Sequence, residues 1–307
     1  MLYLYTPDQP ERYLRLLQEA LPDEAVACWP QQVDAAAVTH AAVWAPPEDF
    51  FARFPNVHTV FVMGAGVDKL LQRADVPENV MLIRLADAGM AQQMTEYCLY
   101  GVLHYQRQMD RYARQQHERL WNPLDTRLPR DVRVGILGLG ELGGKVAQDL
   151  VRLGYRVSGW SRRPRQFDGI RCLHGKAGLR ELLPQTDVLF CVLPSTPETR
   201  HLLDAETLAL LPANAALINA GRGSLIDEAA LLARLNAGLL RFALLDVFAE
   251  EPLPVTHPFW SHPRVILTPH VAADTVAEEA ARQIAANLRA QAAGQPMNGV
   301  VDRRRGY

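Results

Sequence analysis

Four short segments of this 307-residue chain carry residues whose types and spacing suit chemistry. Gly138-Leu139-Gly140-Glu141-Leu142-Gly143 has the pattern GxGxxG, Ala220-Gly221-Arg222-Gly223 sets an arginine between glycines, Asp246 is followed by Glu250 and Glu251, and Thr268-Pro269-His270 ends an apolar run. In the first, Gly138 permits a tight turn, Gly140 lets backbone approach a pyrophosphate, and Gly143 lets a helix pack close to the preceding strand. The following helix offers its first amides, at Glu141 and Leu142, and the positive end of its dipole to phosphate. The planar fork of Arg222 suits bidentate recognition of a 2-keto acid. Reducing a ketone takes a hydride at carbon and a proton at oxygen, and histidine is the acid suited to neutral pH. A neighbouring carboxylate favours the protonated ring and orients it, which is the role of Glu251; Glu250 reads as its solvated neighbour. Alone, His270 reads equally well as a turn residue.

The identity of the dinucleotide is written one strand later. NAD sites end that strand in Asp or Glu, which accepts hydrogen bonds from the ribose. Here it ends in Ser161-Arg162-Arg163. A hydroxyl and two guanidinium groups can hold a 2′-phosphate, so NADP, as NADPH, is expected over NADH. The plainer reading is a solvated basic loop.

These residues need a framework that delivers strand ends to one edge. Apolar runs at 2–5, 41–45, 57–62 and 80–85 alternate with helical spacing, as do strands expected at 132–137, 155–160, 187–192, 215–219, 241–246 and 264–267. Helices are expected between them at 141–153, 176–183 and 227–237, with a last one at 274–293. Such alternation predicts parallel sheets covered by helices, because parallel strands need long crossovers. A length near twice ~150 residues predicts two domains. The expected fold is therefore α/β, with two Rossmann-like or flavodoxin-like parallel-sheet domains and a cleft between them. Residues 1–90 with 275–307 would bind substrate and 91–274 the dinucleotide, with one long apolar helix from Met90 to about Leu120 bridging them.

Composition excludes other classes. With 49% hydrophobic and 21% charged residues the chain is neither disordered nor fibrous. A net charge of −2 gives no basic field for nucleic acid or an anionic membrane. The opening residues lack a basic region before an apolar stretch and no run nears ~20 apolar residues, so a cytoplasmic protein is expected. Cysteines at 28, 98, 172 and 191 form no CxxC pair, so no metal is expected, and Cys191 reads as a small buried hydrophobe.

The glycine turn and the segments bearing Arg222, Glu251 and His270 resemble the D-isomer-specific 2-hydroxyacid dehydrogenase family over nearly the whole chain. The resemblance implies that Arg222 binds the substrate carboxylate and carbonyl, that Glu251 supports the acid, and that His270 donates the proton. It also implies that the backbone N–H groups of Ala65, Gly66 and Val67, in Gly64-Ala65-Gly66-Val67-Asp68, hold the substrate carboxylate. It sets Leu193, Pro194, Ser195, Thr199 and Ala220 beside the cofactor and Asp246 near its carboxamide. For Thr196 and Thr199 a helix cap is the alternative. Val43-Trp44-Ala45-Pro46-Pro47, Asp87-Ala88-Gly89-Met90, Gln93-Met94-Thr95-Glu96-Tyr97 and the terminal Val301–Tyr307 are similar to the family's bacterial glyoxylate and hydroxypyruvate reductases. That similarity implies a homodimeric reductase that makes glycolate and D-glycerate. Trp44 and Met90 would wall its substrate pocket, with core packing as the other reading; Trp260 reads as core or interface, or as cover for a neighbour's site. Rival readings are another 2-hydroxyacid substrate and a dinucleotide-sensing corepressor-like binding protein.

Overall fold

The computed structural model describes residues 1–306, which form two compact units: Met1–Met90 with Asp274 onward, and Ala91–Ala273. In the first, strands β1 (Leu2–Tyr5), β2 (Val26–Cys28), β3 (His40–Val43), β4 (Thr59–Val62) and β5 (Met81–Arg84) pair in the order β2-β1-β3-β4-β5, all parallel. This is the flavodoxin-like order. Helices α1 (Pro10–Ala20), α2 (Phe50–Arg53), α3 (Asp68–Leu71) and the C-terminal α10 (Ala277–Ala292) belong to the same unit. Pro10 sits in the first turn of α1, where its missing N–H costs nothing, and Tyr13 and Leu17, four apart, are its buried residues.

The second unit opens with α4 (Met90–Gln106) and α5 (Met109–His117). Then come β6 (Arg133–Leu137), α6 (Glu141–Arg152), β7 (Arg156–Ser161), β8 (Arg171–His174), α7 (Gly175–Leu182), β9 (Val188–Cys191), α8 (Ala205–Ala209), β10 (Ala215–Asn219), α9 (Glu228–Asn236), β11 (Leu240–Leu245) and β12 (Val265–Leu267). The parallel sheet runs β12-β11-β10-β9-β6-β7-β8, so the first six strands of this unit follow the Rossmann order 3-2-1-4-5-6. Alternate residues of its central strands feed opposite faces. Ile136, Phe190, Ile218 and Leu244 join one core with Cys98 and Val102 of α4. Leu137, Leu189, Leu217 and Leu245 join another with Leu179 of α7 and Leu231 of α9.

The single helix expected from Met90 to Leu120 is two helices. Gln108 between them has a left-handed backbone (φ 58°). The buried side chains of Gln106 and Gln108 donate to the carbonyls of Arg127 and Asp125 at 2.9 and 2.8 Å. Residues two apart on a continuous helix do not share a face, and the break turns both amides onto the returning chain. Two strands, β2 and β8, were not expected: β2 is apolar but only three residues long, and β8 buries none of its residues fully. Both are short and lie at a sheet edge, where exposed charges such as Arg171 are common. No helix among the described residues is long and apolar enough to cross a membrane.

Candidate active site

The strand order reverses between β6 and β9, and the loops after these two strands open at the point where such sheets bind ligands. The glycine turn follows β6 directly. Gly138 has φ +112°, and its N–H donates to the carbonyl of Trp160 at 2.9 Å. A Cβ at Gly143 would lie 1.8 Å from the carbonyl oxygen of Gly138, so only glycine lets α6 start this close to the strand. A Cβ at Gly140 would meet nothing within 4 Å, so that residue's Cα faces open space. Close packing behind and room in front are what a dinucleotide pyrophosphate needs, and the first amides of α6, from Glu141, Leu142 and Gly143, lie outside the helix's own bonding.

After β9, Leu193 is buried and Pro194 and Ser195 are half-buried. The Thr199 hydroxyl donates to the Pro194 carbonyl at 2.7 Å and accepts from the Thr196 N–H at 2.8 Å, so Thr199 shapes this loop from within. Ser195 and Ser224 share a hydrogen bond of 2.8 Å, and the Ala220 N–H donates to the Cys191 carbonyl, which ties the β9 and β10 loops together. At the end of β7 the Ser161 hydroxyl donates to the Arg163 carbonyl at 2.7 Å. Arg162 lies 3.6 Å from Glu198 in an exposed pair, while Arg163 is exposed. Such an exposed pair is worth under ~1 kcal/mol.

Arg222, Glu251 and His270 follow β10, β11 and β12, three adjacent strands. The buried side chain of Asn219 donates to the Arg222 carbonyl at 3.0 Å and accepts from the Gly221 N–H at 3.2 Å, which shapes the turn beneath the arginine. A Cβ at Gly223 would fall 1.9 Å from the Phe248 carbonyl carbon, so glycine is what lets the β10 and β11 loops meet. Glu251 accepts from the Phe248 N–H through Oε1 at 3.1 Å, and its Oε2 lies 3.0 Å from His270 Nδ1. With Nδ1 engaged, Nε2 is the nitrogen left to act.

His270 has φ 57°, a conformation that costs a non-glycine residue about 1–2 kcal/mol. Asp246 holds it there. Its backbone carbonyl accepts from the His270 N–H at 2.9 Å, Oδ1 accepts from the Val271 N–H at 2.9 Å, and Oδ2 accepts from the Ala272 N–H at 2.9 Å. The Thr268 hydroxyl donates to Oδ1 at 2.6 Å and lies 2.6 Å from the Tyr97 hydroxyl. Because the Thr268 hydrogen is already given, Tyr97 is the donor in that pair. Bonds to a carboxylate, at about 1.5–3 kcal/mol each, outweigh the strain. Asp246, assigned by resemblance to the cofactor carboxamide, thus has both oxygens engaged in shaping the histidine loop. Sequence reasoning gave no site role to Asn219, Thr268 or Tyr97. The one available signal was a polar side chain closing an apolar strand, as at Asn219.

In the first unit, the loop Gly64–Val67 joins β4 to α3. Among the described residues, the backbone N–H groups of Ala65, Gly66 and Val67 donate to nothing in the chain, while Val67 buries its side chain in the core. Met90 is buried, and its sulfur is 3.9 Å from the Thr275 hydroxyl, which donates to the Met63 carbonyl just before this loop. Trp44 is 46% exposed. Burial pushes the Cys98 and Cys191 thiols up, consistent with inert packing.

A Rossmann glycine turn on the same sheet edge as an imidazole–carboxylate pair and an arginine is the arrangement of a nicotinamide-type dehydrogenase. A family model described as "D-isomer specific 2-hydroxyacid dehydrogenase, NAD binding domain" matches residues 99–272. The chain belongs to that family. It is 43% identical over 302 residues to glyoxylate/hydroxypyruvate reductase A of Yersinia enterocolitica and 44% identical over 302 residues to that of Serratia proteamaculans, in both cases covering 97% of this chain and 96% of the relative. Among solved structures, a D-isomer specific 2-hydroxyacid dehydrogenase of Xanthobacter autotrophicus in complex with NADPH and MES matches with TM-score 0.96 at 42% identity, over 100% of this chain and 99% of that one. An NADPH-dependent glyoxylate/hydroxypyruvate reductase of Sinorhizobium meliloti, in complex with NADP and sulfate, matches with TM-score 0.93 at 35% identity over the same shares.

Proposed function

We propose that this protein is an NADPH-dependent reductase of small 2-keto acids, converting glyoxylate to glycolate and hydroxypyruvate to D-glycerate. The observation that carries the reading is the His270–Glu251 pair, at 3.0 Å, on the strand edge that also carries Arg222 and the phosphate turn. The names of the relatives point the same way. When bound, the dinucleotide supplies the hydride from its nicotinamide. Nε2 of His270 delivers a proton to the developing alkoxide, and Glu251 stabilises the imidazolium that gives it up. Arg222 grips the carboxylate and carbonyl, and the amides of Ala65, Gly66 and Val67 hold the carboxylate from the loop after β4. Gly138 to Gly143, Leu193 to Ser195, Thr199 and Ala220 shape the dinucleotide seat, and Ser161, Arg162 and Arg163 take the 2′-phosphate.

Initial rates of NADPH and NADH oxidation with glyoxylate and with hydroxypyruvate test this reading. Turnover with NADPH preferred supports it; absence of turnover with both acids removes it. Exchanging Arg162 and Arg163 together for alanine removes two charge-assisted contacts, so kcat/KM for NADPH is expected to fall about 10–100-fold while that for NADH holds. A parallel loss with both cofactors would reject the phosphate role.

The reading places the protein in the cytoplasm as a homodimer, without a nucleic-acid partner. Exposed Tyr100, Leu103, Met109, Leu120 and Trp121 cluster on α4, α5 and the segment after them, and an apolar surface of this kind calls for a partner. A second copy is the occupant proposed. Light scattering on a sizing column should give twice the 34.3 kDa chain mass, and Leu103→Glu with Trp121→Ser should return it to one chain. A monomeric wild-type protein would end the dimer proposal.

A further inference from the structure

The segment Trp44–Pro47, after β3, has an unusual number of fixed points. Ala45 has φ 47°, and the Trp44 N–H donates to the Tyr5 carbonyl at 2.8 Å. Its far side is held by Arg73, just beyond α3. The guanidinium donates through Nη1 to the Pro46 carbonyl and through Nη2 to the Pro47 carbonyl at 2.8 Å. Nε and Nη2 meanwhile grip the two carboxylate oxygens of Asp75 at 2.8 and 2.6 Å. Arg73 and Asp75 are 20% and 29% exposed at their side chains, so this fork is partly shielded from water. Its hydrogen bonding holds the Asp75 carboxyl below the usual carboxylate range.

The clamped segment ends on the carboxylate-binding loop. The Trp44 indole covers Gly64 so closely that a Cβ there would lie 2.6 Å from Cζ3. The next three residues, Ala65, Gly66 and Val67, are those whose amides donate to nothing among the described residues. The ring is otherwise half-exposed. Arg73 therefore fixes the distance between an indole wall and the amides beneath it.

We infer that Arg73 is a positioning residue for substrate size, locking Trp44 over the Gly64–Val67 loop so that only short 2-keto acids reach the amides. This rests on the reading of that loop as the carboxylate seat. Arginine is required because one planar fork must reach two carbonyls and a carboxylate together, and a lysine ammonium cannot reproduce that geometry. Loosening the wall should weaken the grip on the smallest substrate and lower the barrier to larger ones, without touching proton or hydride transfer.

The test is steady-state kinetics of the full-length Arg73→Met protein with glyoxylate, hydroxypyruvate and the branched 2-ketoisovalerate at saturating NADPH. KM for glyoxylate should rise about tenfold, and the kcat/KM ratio of 2-ketoisovalerate to glyoxylate should rise by a similar factor. Glyoxylate kcat and the KM for NADPH should hold. Unchanged KM and selectivity, or a uniform fall in kcat with every substrate, would overturn the inference. If Arg73→Met does not fold, Asp75→Asn weakens the same fork and must shift selectivity in the same direction; an unaltered Asp75→Asn overturns it. Wild-type protein that turns over none of the three acids would instead bring down the functional reading, and this inference with it.

Discussion

Replacing His270 by asparagine should lower kcat for keto-acid reduction by about 10²–10⁴-fold, the usual worth of a positioned general acid. Asparagine is the informative choice because it tolerates the left-handed backbone at this position better than alanine does. It keeps a polar group near Glu251 but has no proton to give. Binding of NADPH, followed by its fluorescence, should be unchanged, because no part of the phosphate turn depends on the imidazole. Retained kcat would transfer the acid role to another group; a matching loss of NADPH affinity would mean that the variant had disturbed the strand edge as a whole.

Exchanging Arg222 for lysine should cost nearly as much. The charge survives, but the fork that can hold a carboxylate and a carbonyl together is lost. A fall of about 10²–10³-fold in kcat/KM is expected, comparable with the removal of a preorganised donor from a transition-state site. Much of it should lie in kcat, since the carbonyl oxygen gains charge as the hydride arrives and the arginine's grip tightens with it. Kinetics that show only a raised KM would confine Arg222 to binding the carboxylate. Unaltered kcat/KM would exclude it from the site.

The site was legible where chemistry follows from local geometry. Gly138, Gly140 and Gly143 are spaced by one turn and the first coil of one helix, so sequence distance is spatial distance there. Arg222, Glu251 and His270 could be proposed as one site because each lies in the segment after a parallel strand, and parallel strands all end at one edge. What escaped the sequence depends on pairs far apart along the chain. Thr268 meets Tyr97 across 171 positions and Arg73 meets Pro46 across 27, and no periodicity encodes either. The break at Gln108 was hidden for a related reason: no glycine or proline marks it, and its cause is a pair of carbonyls contributed by the returning chain. The edge strands β2 and β8 were missed because β2 is too short, at three residues, to show a pattern and β8 has no buried face to set one.

For His270 as the proposed acid, the hold of Asp246 on residues 268–272 would also govern how its proton is replaced. With backbone and side-chain bonds tying this segment to the end of β11, the imidazole moves with the sheet, and its placement is fixed during folding instead of at each turnover. Yet the His270 side chain is 46% exposed. On that proposal, a rigid base beneath a half-exposed side chain would let bulk water return the proton directly between turnovers.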